Sequence, residues 1–251
     1  MCIICVSPAR TRQPSISQIR TMFKNNPHGA GYMFARDGRV QIHKGFMDVD
    51  SFLDAIRGEH FTAKDSVVYH FRISTQAGVN PEMTHPFPLS NRLSYMKALD
   101  VECRCGVAHN GIIRLTSDRN QHEYSDTALF ITRYMARMLH SPEDLRDEQL
   151  LNRIEQLAGS KLAIMDGSGY IATIGHFINE RGLLFSNSSY DNDKCSGGGR
   201  QRDYPNTAAL PFSERFGAVA SLCVNGKTTN QSQAADRRYF NDYGNAPYQH
   251  F

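Results

Sequence analysis

The chain has 251 residues, 40% hydrophobic and 21% charged, with 28 Lys and Arg against 25 Asp and Glu for a formal net charge of +3. That length suits one large domain, or one domain and a tail, and the composition is that of a globular protein. The small basic excess is scattered apart from Arg10–Arg12, Arg200–Arg202 and Arg237-Arg238, so no nucleic-acid partner is expected, and no apolar run approaches the roughly 20 residues of a membrane helix.

Cys2 to Val6 reads as a short buried strand at the terminus. It is too short for a signal-peptide core and lacks a basic leader, so the expected setting is cytosolic and the six cysteines are expected to be reduced. Ser15 to Lys24 has helical spacing with Ser15 as cap. Gly31 to Ala35 and Val40 to His43 flank Arg36-Asp37-Gly38-Arg39, a hairpin signal. Val49 to Ile56 reads as a helix ended by Gly58, and Ser66 to Phe71 as a buried strand leading into a Gly- and Pro-rich loop, Ser74 to Ser90.

Cys105 to His109 is another strand, cut off by Asn110-Gly111. The alternation at Cys103-x-Cys105 fits a strand better than half of a zinc site, whose paired cysteines are usually spaced by two to four residues. A helix opens at Ser125-Asp126, with Ala128, Ile131, Thr132, Met135 and Leu139 on its inner stripe. A second runs from Pro142 to Ala158. Leu162 to Met165 and Tyr170 to His176 form a hairpin around Asp166-Gly167-Ser168-Gly169, and Leu183 to Ser186 is a last strand. Residues 1–190 read as one domain and 191–251 as a polar extension. Gly197–Gly199 is a linker there, and Phe216 to Val224 a stretch able to dock. The pattern implies an α+β fold with two mostly antiparallel sheets.

Four segments carry groups suited to chemistry. Removal of Met1 would leave Cys2 with a thiol and a free α-amine, and an amine of pKa near ~7.7–8.0 can accept the thiol proton. Arg72, just past a hydrophobic strand, suits bidentate capture of a carboxylate. Asn110-Gly111 at a strand end can offer a side-chain amide and an unhindered N–H, the two donors of an oxyanion hole. Asp126, at a helix start, could hold an ammonium. Three of them have a plain structural alternative: a buried cysteine, an Asn-Gly turn, an acidic first turn of a helix.

Their order is more specific. Met1-Cys2, Arg72-Ile73-Ser74-Thr75, Asn80-Pro81 with Thr84-His85-Pro86, His109-Asn110-Gly111 and Ser125-Asp126-Thr127 together resemble the glutaminase domain of class II glutamine amidotransferases. His28-Gly29-Ala30-Gly31-Tyr32 is similar to the His-x-Gly-x-Gly segment of stand-alone members. The resemblance covers about the first 190 residues. It implies the four-layer αββα sandwich of N-terminal-nucleophile hydrolases, with no cofactor and no metal. By position, Cys2 is the nucleophile, Asn110 and Gly111 stabilise the oxyanion, Arg72 and Asp126 bind the two charged groups of glutamine, and Thr75 lines the pocket. Gln76 stands where many members have His, and Met83 and Thr84 are atypical; His85 reads as structural. Because no synthase domain fits within residues 191–251, ammonia is expected to go to a separate synthase subunit. The alternatives are a hydrolase of another γ-glutamyl amide and a non-catalytic module of the same fold.

Overall fold

Strand β1 (Ile3–Ser7) is buried along its whole length, and its period-2 alternation sets the layering. Ile3 and Cys5 enter one apolar cluster, Ile4 and Val6 another. The first is closed from outside by Ile19, Met22 and Phe23 of α1 (Ile16–Asn25) and by Phe52 and Leu53 of α2 (Val49–Gly58). The second lies between two sheets, where Ile4, Val6 and Val68 meet Ala108, Ala163 and Met165. Full burial of each large apolar side chain there contributes roughly 1.5–3 kcal/mol.

The larger sheet has the order β10 (Ile178–Glu180), β11 (Leu183–Phe185), β1, β4 (Val67–Phe71), β2 (Ala30–Arg36), β3 (Arg39–Phe46), β6 (Asp100–Cys103). The smaller runs β5 (Phe87–Pro88), β7 (Cys105–Asn110), β8 (Lys161–Asp166), β9 (Ile171–Ile174). All the pairings are antiparallel. On the far face of the smaller sheet, Val107, Leu162 and Ile164 pack with Phe130, Ile131, Leu151 and Ile154. The molecule is thus α+β, with helices outside two facing antiparallel sheets. This computed structural model describes residues 1–74, 79–114 and 123–191; Gly197–Gly199 and Phe216 to Val224 lie outside the described residues.

Local chemistry explains most elements. Ser15 caps α1 in a capping box with Gln18. Asp37 and Gly38, at φ 53° and 75°, make the turn expected between β2 and β3. Elsewhere the structure differs from the expectation. The helix opening at Asp126 is α-helical to Phe130 (α3), widens into a π turn over Ile131–Met135 and ends in α4 (Ala136–Met138). Thr132 Oγ1 donates back to the carbonyls of Ala128 and Leu129 at 3.0 and 3.1 Å, which competes with the regular ladder. The expected Pro142–Ala158 helix is a 3₁₀ turn (Pro142–Arg146) followed by α5 (Glu148–Ala158). Asp147 separates them because its side chain accepts from the N–H groups of Gln149 and Leu150 and caps α5.

Cys103 and Cys105 do not share a strand. β6 ends at Cys103 in the larger sheet and β7 begins at Cys105 in the smaller, so the chain changes sheets at Arg104. Burial pushes both thiols up to about 12. Among the described residues no group of three or more His, Cys, Asp or Glu is arranged to hold a metal ion, and no helix is long and apolar enough to cross a membrane.

Candidate active site

The pairing of β1 with β4 places Ile3 opposite Phe71, so Cys2 runs on beside Arg72 and Ile73. Cys2 Sγ accepts from the Ile73 N–H at 3.4 Å and its thiol lies 3.5 Å from the Ile73 carbonyl. The same alternation that sends Ile4 and Val6 between the sheets puts Cys2 on that side. Burial pushes the Cys2 thiol up; the Ile73 N–H, the terminal ammonium and the Arg72 guanidinium work the other way.

His28 and Gly29 extend the β2–β4 ladder onto Arg72. The Arg72 N–H donates to the Gly29 carbonyl at 2.8 Å, and the His28 N–H to the Arg72 carbonyl at 2.9 Å. His28 Nδ1 accepts from the Ser74 N–H at 2.9 Å, fixing the backbone on both sides of Ile73. The Arg72 side chain is buried, with only 4% exposed. Among the described residues its hydrogen bonds are long and neutral, 3.5 Å to the Asn80 carbonyl and 3.3 Å to Ser74 Oγ. Burial lowers its pKa, while the charges of Cys2 and Asp126 oppose that.

Asp126 is oriented by backbone donors. Oδ2 accepts from the Ile113 N–H and Oδ1 from the Thr127 N–H, each at 2.8 Å. The first of these bonds ties the start of α3 to the chain just after Asn110-Gly111.

On β7, Ala108 faces the larger sheet and Val107 the outer helices, so alternation sends Asn110 inward and His109 outward. Asn110 Nδ2 lies 2.9 Å from Ser186 Oγ, which also accepts from the Ile4 N–H at 2.8 Å. Asn187 Nδ2 donates to the Cys2 carbonyl at 2.6 Å. Residues 186 and 187, just after β11, thus join the end of β7 to the start of β1. Asn110 Oδ1 is buried with no partner. A half-turn of the carboxamide exchanges the two atoms: the Ser186 hydroxyl then donates to Oδ1, and Nδ2 takes the unpartnered position, where it can donate to a ligand. Gly111 sits at φ +147°, where a Cβ would come within 2.5 Å of Ser160 Cβ; only glycine fits there without strain.

His109 braces this corner from the outer side. Its Nδ1 is 2.7 Å from Thr127 Oγ1 and its Nε2 2.8 Å from Ser160 Oγ. Ser160 Oγ donates to the Ala158 carbonyl, so it accepts from Nε2–H, and Nδ1 accepts from Thr127. Between the sheets, His70 Nε2–H donates to the His109 carbonyl at 2.9 Å. The His85 ring packs between His70 (centroids 4.3 Å apart) and Phe87 (4.7 Å). Burial lowers the pKa of all three histidines, that of His70 to about 3. The unfolded chain takes up these protons below about pH 6.5, whereas the folded chain resists, so stability is complete above that pH and falls below it. By pH 5 the loss should reach about 2 kcal/mol for each of His70 and His109. Urea unfolding at pH 7 and pH 5 checks this, and an unchanged midpoint would contradict it.

Cys2, Arg72, Asn110, Gly111 and Asp126 are therefore brought to one corner of the two sheets, while Thr75 and Gln76 lie outside the described residues. Sequence reasoning missed Ser186 and Asn187. Their signal was faint: two small polar residues at the end of a hydrophobic strand, where the composition turns to Ser and Asn. Lys44 was also missed. It is buried, and its ammonium donates to the carbonyls of Glu82 and Met96 at 2.8 and 2.6 Å, pinning the 81–97 segment beside His85. No family model matches the chain, and no curated protein matches it.

Proposed function

We propose that this chain is a class II, N-terminal-cysteine glutamine amidotransferase-like hydrolase with the four-layer αββα fold of N-terminal-nucleophile hydrolases. It releases ammonia from the glutamine side chain for an acceptor on a separate partner. Removal of Met1 frees the Cys2 α-amine, which takes the thiol proton as the sulfur attacks the amide carbon. Asn110 Nδ2 and the Gly111 N–H hold the oxyanion. The C–N bond then breaks, ammonia leaves with the proton from the α-ammonium, and water hydrolyses the thioester to glutamate, restoring the thiol. The raised thiol pKa makes a dedicated base necessary near neutral pH.

The observation that carries this reading is the pairing of Cys2 with Arg72. A buried guanidinium whose side-chain bonds among the described residues are two long neutral contacts lies next to the one cysteine among the described residues that is only half-buried. A carboxylate ligand would satisfy the guanidinium's fork and bring the amide carbon at the other end of glutamine toward the sulfur. Arg72→Ala is expected to raise KM for glutamine by about 30- to 100-fold. It should change KM for 4-aminobutanamide, which lacks the α-carboxylate, by no more than a few-fold. Equal effects on the two amides would contradict the assignment.

A further inference from the structure

A cavity of about 600 Å³ opens at the same corner, lined by Met1, Asn110 and Gly111 but not by Cys2, Arg72 or Asp126; it reaches the nucleophile only through Met1, the residue bonded to it. It therefore lies beyond the oxyanion donors, away from the groups assigned to the glutamine head. Met1 is bonded to the Cys2 nitrogen, so trimming Met1 leaves the new α-amine facing this space. A leaving amine must come within reach of the group that protonates it, and so it departs into this cavity. Ammonia needs only a small fraction of such a volume, which is that of a ligand site.

The walls indicate what else would fit. Ile112, Leu157 and Ala158 give an apolar side, and Lys161 and Arg114 supply two cations; no carboxylate is among the described lining residues. Lys161 is half-buried beside Asn110, its register partner. Its ammonium donates to the Ser186 carbonyl, which engages one of three donors, and burial lowers its pKa. An anion placed there would stabilise the partly desolvated ammonium.

We propose that this cavity receives the amine half of an N-substituted γ-glutamyl amide whose amine carries a carboxylate or phosphate. This rests on the nucleophile assignment above and extends its substrate class from glutamine to N-substituted γ-glutamyl amides. The chemistry balances as for glutamine: the C–S bond forms, the C–N bond breaks, the free amine takes the α-ammonium proton, and water releases glutamate.

The test uses full-length protein whose loss of Met1 is verified by intact mass. Glutamate release is measured from γ-glutamyl-glutamate (two glutamates per turnover, so its rate is halved), γ-glutamyl-phosphoethanolamine, the neutral γ-glutamyl-ethylamide and glutamine. At least one anionic substrate should exceed the ethylamide about tenfold in kcat/KM, and the better of the two identifies the anion. This preference should shrink as salt is raised. Arg114→Gln, at an exposed position, and Lys161→Met should each lower kcat/KM several-fold more for the anionic substrate than for the ethylamide. Parity of anionic and neutral amides in the wild type, or variants that lower kcat/KM equally for the anionic substrate and the ethylamide, would overturn the cavity's assignment while glutamine hydrolysis stood. No glutamate from any of the four would overturn the nucleophile assignment, and the cavity's role with it.

Discussion

Cys2→Ala is expected to abolish ammonia release from glutamine, lowering the rate by on the order of 10⁴ to 10⁶, the scale seen when a covalent nucleophile is removed. No other described thiol can take over. Cys5 is fully buried and its thiol pushed far up by that burial. Cys103 and Cys105 are buried at the crossover between sheets, with pKa values of about 12. The fold should hardly notice the change. Cys2 precedes β1, and among the described residues its sulfur hydrogen-bonds only to the Ile73 backbone, through two long contacts, so the loss should stay within about 1 kcal/mol. Ammonia release beside a thermal unfolding curve separates the two effects. Inactivity with an unfolding midpoint near wild type is the expected pair of results. Wild-type turnover in the variant would end the mechanism. Wild-type chain that keeps Met1 should be similarly inactive, since a nitrogen in a peptide bond cannot accept the thiol proton.

The layers of the fold were legible wherever local periodicity and turn chemistry agreed. Cys2 to Val6, Ser66 to Phe71 and the Asp37-Gly38 hairpin could be read because β-branched runs and a positive-φ turn each have few alternatives. The missed strands are short or polar. β5 has two residues, one of them proline, and β6 buries Val101 and Cys103 between exposed Asp100 and Glu102. Thr132 and Asp147 altered helices through side-chain bonds to the backbone, which a hydrophobic stripe does not encode. The residue types of the site were legible as well, but their convergence was not. It depends on which face of each strand turns inward: Cys2 with Ile4 on β1, Asn110 with Ala108 on β7. Sequence alternation gives the period and leaves the facing sheet unspecified. Ser186 makes this clearest, because its importance comes from one hydroxyl shared by Ile4 and Asn110, two strands in different sheets.

That shared hydroxyl gives the Asn110 prediction its detail. Asn110→Ala is expected to lower kcat by about 10² to 10³ with little change in KM, because the oxyanion donor acts on charge that develops only in the transition state. If the half-turned carboxamide is the working state, Ser186 is the group that holds Nδ2 toward the substrate. Ser186→Ala should then lower kcat about tenfold without a substrate contact of its own, the scale of losing one orienting hydrogen bond. It should also cost about 1–3 kcal/mol of stability by leaving the buried Ile4 N–H without its acceptor. The two effects on kcat should not add: once Asn110 is alanine, there is no amide left to orient, so the double variant should turn over at the rate of Asn110→Ala alone. Stopped-assay kcat values for the four proteins of the cycle, with urea unfolding to track stability separately, decide the matter. Full additivity would show that Ser186 acts on catalysis by some route other than Asn110. A kcat for Asn110→Ala within a few-fold of wild type would remove that side chain from the oxyanion site.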